Sequence, residues 1–481
     1  MPSSIELNIG HLPSPRRRRD ADDGDVAPFR VVVLGDFSGR PRAERGPLAE
    51  RRSMRLDIDN FEAVFARLAP LAEIAGLQDK MGVALRIKLE TMDEFSADAV
   101  LARLPAQALA RAAAPVSAPP APTPTPADAP DAEDAAATMK RLLGGDLPAG
   151  APAMAAAPSA RKPDDAVDRF IRQLVGDHVA PPPAPAASAG SSDAAAALLR
   201  HVLRDPAWRH LECAWRAVDR FVRELDMADG EVRLELLDCR ADELLADLSA
   251  CAGEPARAAL TSVLKGDGRG CDLVVSLEEF GPSLAELSLL GGLAAVTTAQ
   301  GAVLLAGAAP SLAAVATSDD EQVLASNESR VWRALRDSAI APRVGLTFPR
   351  LLARLPYGPR NDPVAAFAFD ELADAAAGSL HDRLVWRSAA LDAALLLAQG
   401  HGQGGVETLV QMDDLPAFID RSGDEPCLQA VAEAYLGERE VGVLQAAGMI
   451  TLQSDRRMPN ARVSGWQSIA AGGAELAGNW R

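Results

Sequence analysis

A tract dominated by Ala and Pro, from about residue 106 to 163 and again from 180 to 192, constrains this chain more than any other feature. Repeats such as APPAPTPTPADAP carry too little apolar surface to offset the entropy of ordering their backbone, so the tract reads as a disordered linker. Folded structure must lie on either side of it. The chain therefore divides into a tail over residues 1–27, an α/β unit over 28–112, the linker over 113–192 and a larger α/β unit over 193–481. A length of 481 residues exceeds what one hydrophobic core usually organises, which agrees with more than one folded part. Inside the linker, residues 131–143 and 164–178 keep helical spacing, the second through Val167, Phe170, Ile171, Leu174 and Val175.

The first unit opens with FRVVVL (29–34), a continuous apolar run suited to a sheet interior and ended by Gly35-Asp36 and Gly39. Asp59-Asn60 is placed to cap a helix whose Phe61, Val64, Phe65 and Leu68 recur at helical spacing. A second strand is expected at 83–89, where Val83, Leu85, Ile87 and Leu89 alternate with Ala84, Arg86 and Lys88. A capped helix follows at 93–105, with Ser96 ahead of Ala97, Val100, Leu101 and Leu104. In the tail, SIELNIGHL (4–12) puts Ile5, Leu7 and Ile9 on one face of a strand. That strand either begins its own domain or adds to a neighbouring sheet. Arg16 to Arg19, followed by Asp20, Asp22, Asp23 and Asp25, form a self-neutralised tether behind it.

The second unit begins with a helical pair broken at Pro206, in which Trp208, Leu211, Trp215, Val218, Val222 and Leu225 recur on one buried stripe. A half-buried strand at 231–236, a helix at 241–250, a strand at 271–276, a helix at 285–298 and a strand at 302–305 then alternate. That order predicts an α/β sheet with helices on its faces. Farther on, Arg350 and Arg354 are four residues apart, the spacing of one helix face, from which guanidinium groups grip acidic side chains or carbonyl ends. Pro356-Tyr357-Gly358 reads as a turn. No glycine-rich cradle accompanies the arginines, so structural ion pairs are expected rather than a phosphate site.

Chemistry finds little support. A net charge of −18 opposes phosphate backbones, so no nucleic-acid partner is expected. No run of about 20 apolar residues is available to enter a bilayer, and no signal core opens the chain, which places it in the cytoplasm. Cys213, Cys239, Cys251, Cys271 and Cys427 are odd in number and lack CxxC spacing, so buried thiols are expected rather than disulfides or zinc. Gly35 to Gly39 match neither GxGxxG nor GxxxxGK[ST], and a strand-to-loop turn accounts for them. His401 stands alone in a glycine loop near Glu407, Asp413 and Asp414, and Ser338 and Cys427 have no neighbouring His. No catalytic residue, metal or cofactor is expected; an enzyme would need Arg350, Arg354 and His401 to converge on one pocket.

Two sets of motifs resemble two families that work as partners. LGDFSGR (34–40, with Gly35, Asp36 and Phe37), PLAERR (47–52), DIDNFEAVFARL (57–68) and LETMDEFSADAVLARLP (89–105) resemble the small subunit of the contractile sheath of bacterial type VI secretion systems. Residues 204–217, including Trp215, are similar to a helix of the large sheath subunit. So is the segment holding Trp332, Arg333, Arg336, Ser338, Val344, Gly345, Leu346, Pro349, Arg350, Arg354, Leu355, Pro356, Tyr357 and Gly358. Residues 367–372, 387–397, 402–406 and 446–452 match that subunit less tightly. Relative to the family, the body is shorter between residues 225 and 331 and a C-terminal interlocking segment is lacking.

The resemblance implies a mixed α/β fold with two sheath-type domains, and a non-catalytic protein that assembles with itself and with other sheath subunits. It also implies contacts with an inner tube, a baseplate and a disassembly ATPase, and strands such as the one holding Ile5, Leu7 and Ile9 donated between neighbours. A linker of about 90 residues has a coil dimension of roughly 50–60 Å, so the halves can pair within one chain or between chains. Fusion sets their effective concentration near the millimolar range. The alternatives are a cap or adaptor that docks on the sheath or baseplate without polymerising, and an enzyme.

Overall fold

The computed structural model describes residues 28–74, 85–104, 189–225, 231–251, 253–266, 268, 270–373, 379–403, 410–420, 427–429 and 431–478. The tail with Ile5, Leu7 and Ile9, the arginine run, the Ala/Pro tract with its two helical islands, Val83, residues 404–409 of the glycine loop and the side chain of Cys427 lie outside them.

The first segment supplies strands β1 (Phe29–Gly35), β2 (Met54–Leu56), β3 (Leu71–Ile74) and β4 (Leu85–Lys88), and helices α1 (Phe61–Leu68) and α2 (Ala97–Arg103). The second opens with α3 (Ala189–Arg204) and α4 (Pro206–Glu224), followed by β5 (Val232–Asp238), α5 (Ala241–Ala250), α6 (Ala259–Lys265) and β6 (Leu273–Phe280). Next come α7 (Leu284–Ala299), β7 (Val303–Ala308), α8 (Asn327–Arg336), β8 (Val344–Phe348), β9 (Leu351–Leu352), β10 (Trp386–Arg387) and α9 (Ala390–Gln403). The remainder is β11 (Gln411–Met412), β12 (Ile419–Asp420), β13 (Cys427–Leu428), α10 (Glu438–Ala446), β14 (Met449–Ser454) and β15 (Ala461–Val463).

Nine strands form one sheet in the order β11-β15-β14-β8-β7-β6-β1-β5-β2. From β14 to β5 every neighbour is parallel, while β2, β15 and β11 are antiparallel. The mixed α/β class agrees with the sequence. Strands from the two segments nevertheless share this sheet rather than building one each, because β1 lies between β5 and β6, with Val31 in register with both Leu234 and Leu273. The run FRVVVL is apolar at every core position because both faces of the sheet are covered. Val31 and Val33 pack with Trp208, Trp215 and the helix α9, whereas Val32 and Leu34 pack with Leu244, Leu290 and Leu293 on the other side. For the same reason β5 is mostly buried rather than half-buried.

Local sequence explains several helix starts. Asp205 accepts from the Ala207 amide at 2.9 Å and Pro206 occupies the first turn of α4, whose expected stripe of Trp208, Leu211, Trp215, Val218 and Val222 is buried. The α1 cap differs from expectation. Asn60 spends its side chain on the Asp57 amide (3.1 Å) while Asp57 accepts from the Asn60 amide (3.0 Å), so the two lock the turn and no side chain caps the helix.

Three further expectations are corrected. Residues Arg350 to Arg354 are extended, not helical: Pro349 precedes β9, which pairs with β10, so the two arginines leave toward different partners. The turn lies one step later than Pro356-Tyr357-Gly358. Glu371 accepts from the Tyr357 amide and its own amide donates to the Tyr357 carbonyl, holding Tyr357 extended, and the chain reverses between Gly358 and Asp362. His401 sits in the last turn of α9, where its ring stacks on Phe29 at 4.8 Å.

Candidate functional site

Of the motif residues, Asp36, Phe37 and Trp215 meet at the seam where β1 and the loop after it join the second segment. Gly39 takes φ +62°, and a Cβ there would stand 2.3 Å from the Leu71 carbonyl oxygen, so only glycine closes this turn. Asp36 accepts from the Gly39 amide at 2.7 Å and is ion-paired with Arg45 and with Arg240 (3.3 Å). The next two residues point at one carboxylate of the second segment: Asp238 accepts from the amides of Phe37 (2.9 Å) and Ser38 (3.0 Å) and from the Ser38 hydroxyl (2.7 Å). Arg51 adds a two-pronged bond to Glu243 (2.9 and 2.6 Å). Burial opposes ionisation of Glu243, but Arg51 prevails and holds the carboxyl below its ordinary range.

Below the turn lies an aromatic cluster drawn from both segments. The Trp215 ring meets Phe65 at 4.5 Å, Phe37 at 5.5 Å and Phe61 at 5.9 Å, and Phe95 meets Trp208 at 5.4 Å. These tilted and edge-on contacts suit the ring quadrupoles. The Trp215 indole N–H donates to the Phe37 carbonyl.

Arg354 forms the centre of a second cluster. Its guanidinium makes a fork to Glu371 (2.7 and 2.9 Å), donates to Glu212 (2.7 Å) and lies over the Tyr357 ring at 4.2 Å. All three charged groups are nearly inaccessible, at 6%, 0% and 0% exposure for Arg354, Glu371 and Glu212. Burial disfavours the charged forms of Arg354 and Glu212, but the attraction of opposite charges exceeds it. Arg354 is held protonated well above its ordinary range, and Arg354 and Arg216 pull Glu212 below the carboxylate range. The Tyr357 hydroxyl, raised to about 12 by burial, donates to the Phe95 carbonyl at 3.0 Å, so this hub also ties the segments together.

Arg350 faces elsewhere. It forks onto Glu433, approaches Glu279 at 3.4 Å, and lines a cavity of about 480 Å³ with Arg209, Cys213, Glu279, His381 and Trp386. Neither Arg354 nor His401 lines this cavity, so the convergence that an enzymatic reading requires does not occur. Arg336 ties α8 to the carbonyls of Ile469 (2.9 Å) and Ala446 (2.8 Å), with Trp332 buried beside it, and Ser338 donates to the Leu335 carbonyl. Among the described residues no group of His, Cys, Asp and Glu could hold a metal ion, and Cys239, Cys251 and Cys271 are buried free thiols. Burial pushes the partly exposed Cys213 thiol up to about 12.

Sequence reasoning singled out Arg350, Arg354 and the aromatic residues of the seam, and missed Arg45 and Arg240 as well as the acidic partners Glu212, Asp238, Glu371 and Glu433. One signal was available: Glu212 interrupts the apolar stripe directly after Leu211, where an acid is tolerated only with a buried cation opposite.

Comparison with known proteins matches the two parts separately. The family model described as EvpB/VC_A0108, tail sheath N-terminal domain, matches residues 193–470. The model described as type VI secretion system, VipA, VC_A0107 or Hcp2, matches residues 18–111. The chain is similar to the type VI secretion system sheath protein TssC1 of Pseudomonas aeruginosa, with 27% identity over 286 residues that cover 54% of this chain and 56% of that protein. It is also similar to the sheath protein TssB1 of the same organism, with 32% identity over 76 residues that cover 15% of this chain and 44% of that protein. The chain thus spans about half the length of the curated relatives it matches.

Proposed function

The chain belongs to the tail sheath family of type VI secretion systems, and from that premise we propose that it is a structural sheath component in which a single chain supplies both the small-subunit and the large-subunit parts. The observation that carries this reading is the place of β1, a strand of the first segment, between β5 and β6 of the second. In a sheet assembled in this way, folding of one chain joins the small-subunit and large-subunit parts into one body.

The charged groups of the seam are spent on one another, which supports a structural rather than a catalytic role. Other copies and other sheath subunits are the partners this function requires. An inner tube, a baseplate and a disassembly ATPase are the further partners it proposes, with Ile5, Leu7 and Ile9 as a strand donated between neighbours. Among the described residues no helix is long and apolar enough to cross a membrane, which is compatible with assembly in the cytoplasm.

Negative-stain electron microscopy with light scattering, with and without ordinary sheath subunits, tests the proposal. Tubes formed by the chain alone are the expected result. Discrete particles that cap or decorate tubes built by the other subunits would replace it with an accessory docking role.

A further inference from the structure

At the β2 end of the sheet the strand pairs with β5 on one side, and beside it runs a groove of about 630 Å³. Its floor is apolar, from Met54, Val64 and Leu68, and its rim carries Arg52, Arg55 and Arg67, all exposed. The charges of this groove are poorly matched within the chain. Arg55 approaches Asp57 only to 3.8 Å at a largely exposed site, and Arg52 and Arg67 face no carboxylate within ion-pair distance among the described residues. Of the two acids lining the groove, Asp238 is already engaged by Phe37 and Ser38, and Glu50 is exposed and makes no ion pair with the rim among the described residues. In a chain whose net charge is −18, the unpaired guanidinium groups of Arg52 and Arg67 beside the loosely paired Arg55, over an apolar floor and next to a strand edge that no other described strand covers, call for a complementary occupant.

We propose that this groove binds an extended acidic segment of a protein partner, one in which carboxylate side chains alternate with apolar ones. In a strand conformation alternate side chains point to opposite sides, so one set meets the arginine rim while the other lies on Met54, Val64 and Leu68. A nucleic-acid occupant fits less well: among the described residues no aromatic side chain lines the groove to stack a base, and a phosphate chain has no apolar side chains to lay on Met54, Val64 and Leu68. The site does not depend on whether the chain polymerises.

Fluorescence anisotropy on the full chain tests it, using a fluorescein-labelled peptide of alternating Asp and Val, its Lys/Val counterpart and a single-stranded oligonucleotide as probes. The acidic peptide is expected to bind, to weaken as salt shortens the screening length, and to lose at least about tenfold in affinity in the Arg52→Glu/Arg67→Glu double variant. Arg257→Glu, far from the groove in sequence and absent from its lining, is expected to bind as wild type does. The double variant should keep its melting temperature, since neither side chain supports the fold; if it does not, the single variants Arg52→Gln and Arg67→Gln decide by the same loss. Equal binding by wild type and variants, no binding of the acidic peptide, or tighter binding of the Lys/Val peptide or the oligonucleotide would overturn the proposal.

Discussion

Trp215 donates its indole N–H to the carbonyl of Phe37 at 2.9 Å, across a sequence separation of 178 residues. Both residues are buried, so this bond and the ring contact around it join the loop after β1 to α4 with no access for water. Trp215→Phe keeps most of the ring but leaves the Phe37 carbonyl without its donor, a cost of about 1–3 kcal/mol. Trp215→Ala adds a cavity and is expected to cost about 3–5 kcal/mol. Urea unfolding should rank the variants in that order, and equal midpoints for Trp215→Phe and wild type would remove the hydrogen bond from the account.

Removing Arg354 leaves Glu212 and Glu371 buried without their shared cation. Arg354→Met is therefore expected to destabilise by about 3–5 kcal/mol, the range for breaking a buried ion pair. Arg354→Lys should recover little, because one ammonium cannot reproduce a fork to Glu371 and a bond to Glu212 at once. Adding Glu212→Gln and Glu371→Gln to Arg354→Met should restore part of the loss, since neutral amides no longer demand a counter-charge. If the triple variant is as unstable as the sum of its parts, the coupling assigned to this hub is absent.

Glu279 gives stability a pH dependence of defined sign. Burial pushes its carboxyl up from 4.5 to about 7, although Arg350 pulls the other way. In that window folded Glu279 keeps a proton that the unfolded chain has released, so the folded state binds more protons and stability falls as pH rises from about 4.5 to about 7. Glu279→Gln lacks this slope. Urea midpoints measured from about pH 5 to about pH 8 should show the glutamine variant gaining on wild type as pH rises, and a gap that stays constant would contradict the shift.

The parts of this fold legible in the sequence are those written in local pattern. FRVVVL announced a strand buried on both faces, and Trp208 through Val222 announced the inward stripe of α4. Arg350 and Arg354 misled because a spacing of four is also met in extended chain. What decides the conformation there is Pro349 and the pairing of Leu351 with Arg387, and a local window holds no trace of the latter. Asp238 and Glu371 were invisible for the same reason, since each is defined by a partner far away or by a loop geometry. Least legible was the sheet order, because a parallel strand carries no mark of which strands will flank it.

That order makes the strongest prediction about folding. Without β1, residues 190–481 would expose facing edges of β5 and β6 and the apolar face of α4 around Trp208 and Trp215, a surface that favours aggregation. Expressed alone, this segment is expected in the insoluble fraction; co-expressed with residues 1–112 it should become soluble and co-elute with them in equal amounts. Val32→Asp in the smaller fragment, which places a charge at a position with 0% exposure, should abolish the rescue. Independent elution of two soluble fragments at micromolar concentration would show that the shared sheet is dispensable, and with it the single-chain building unit.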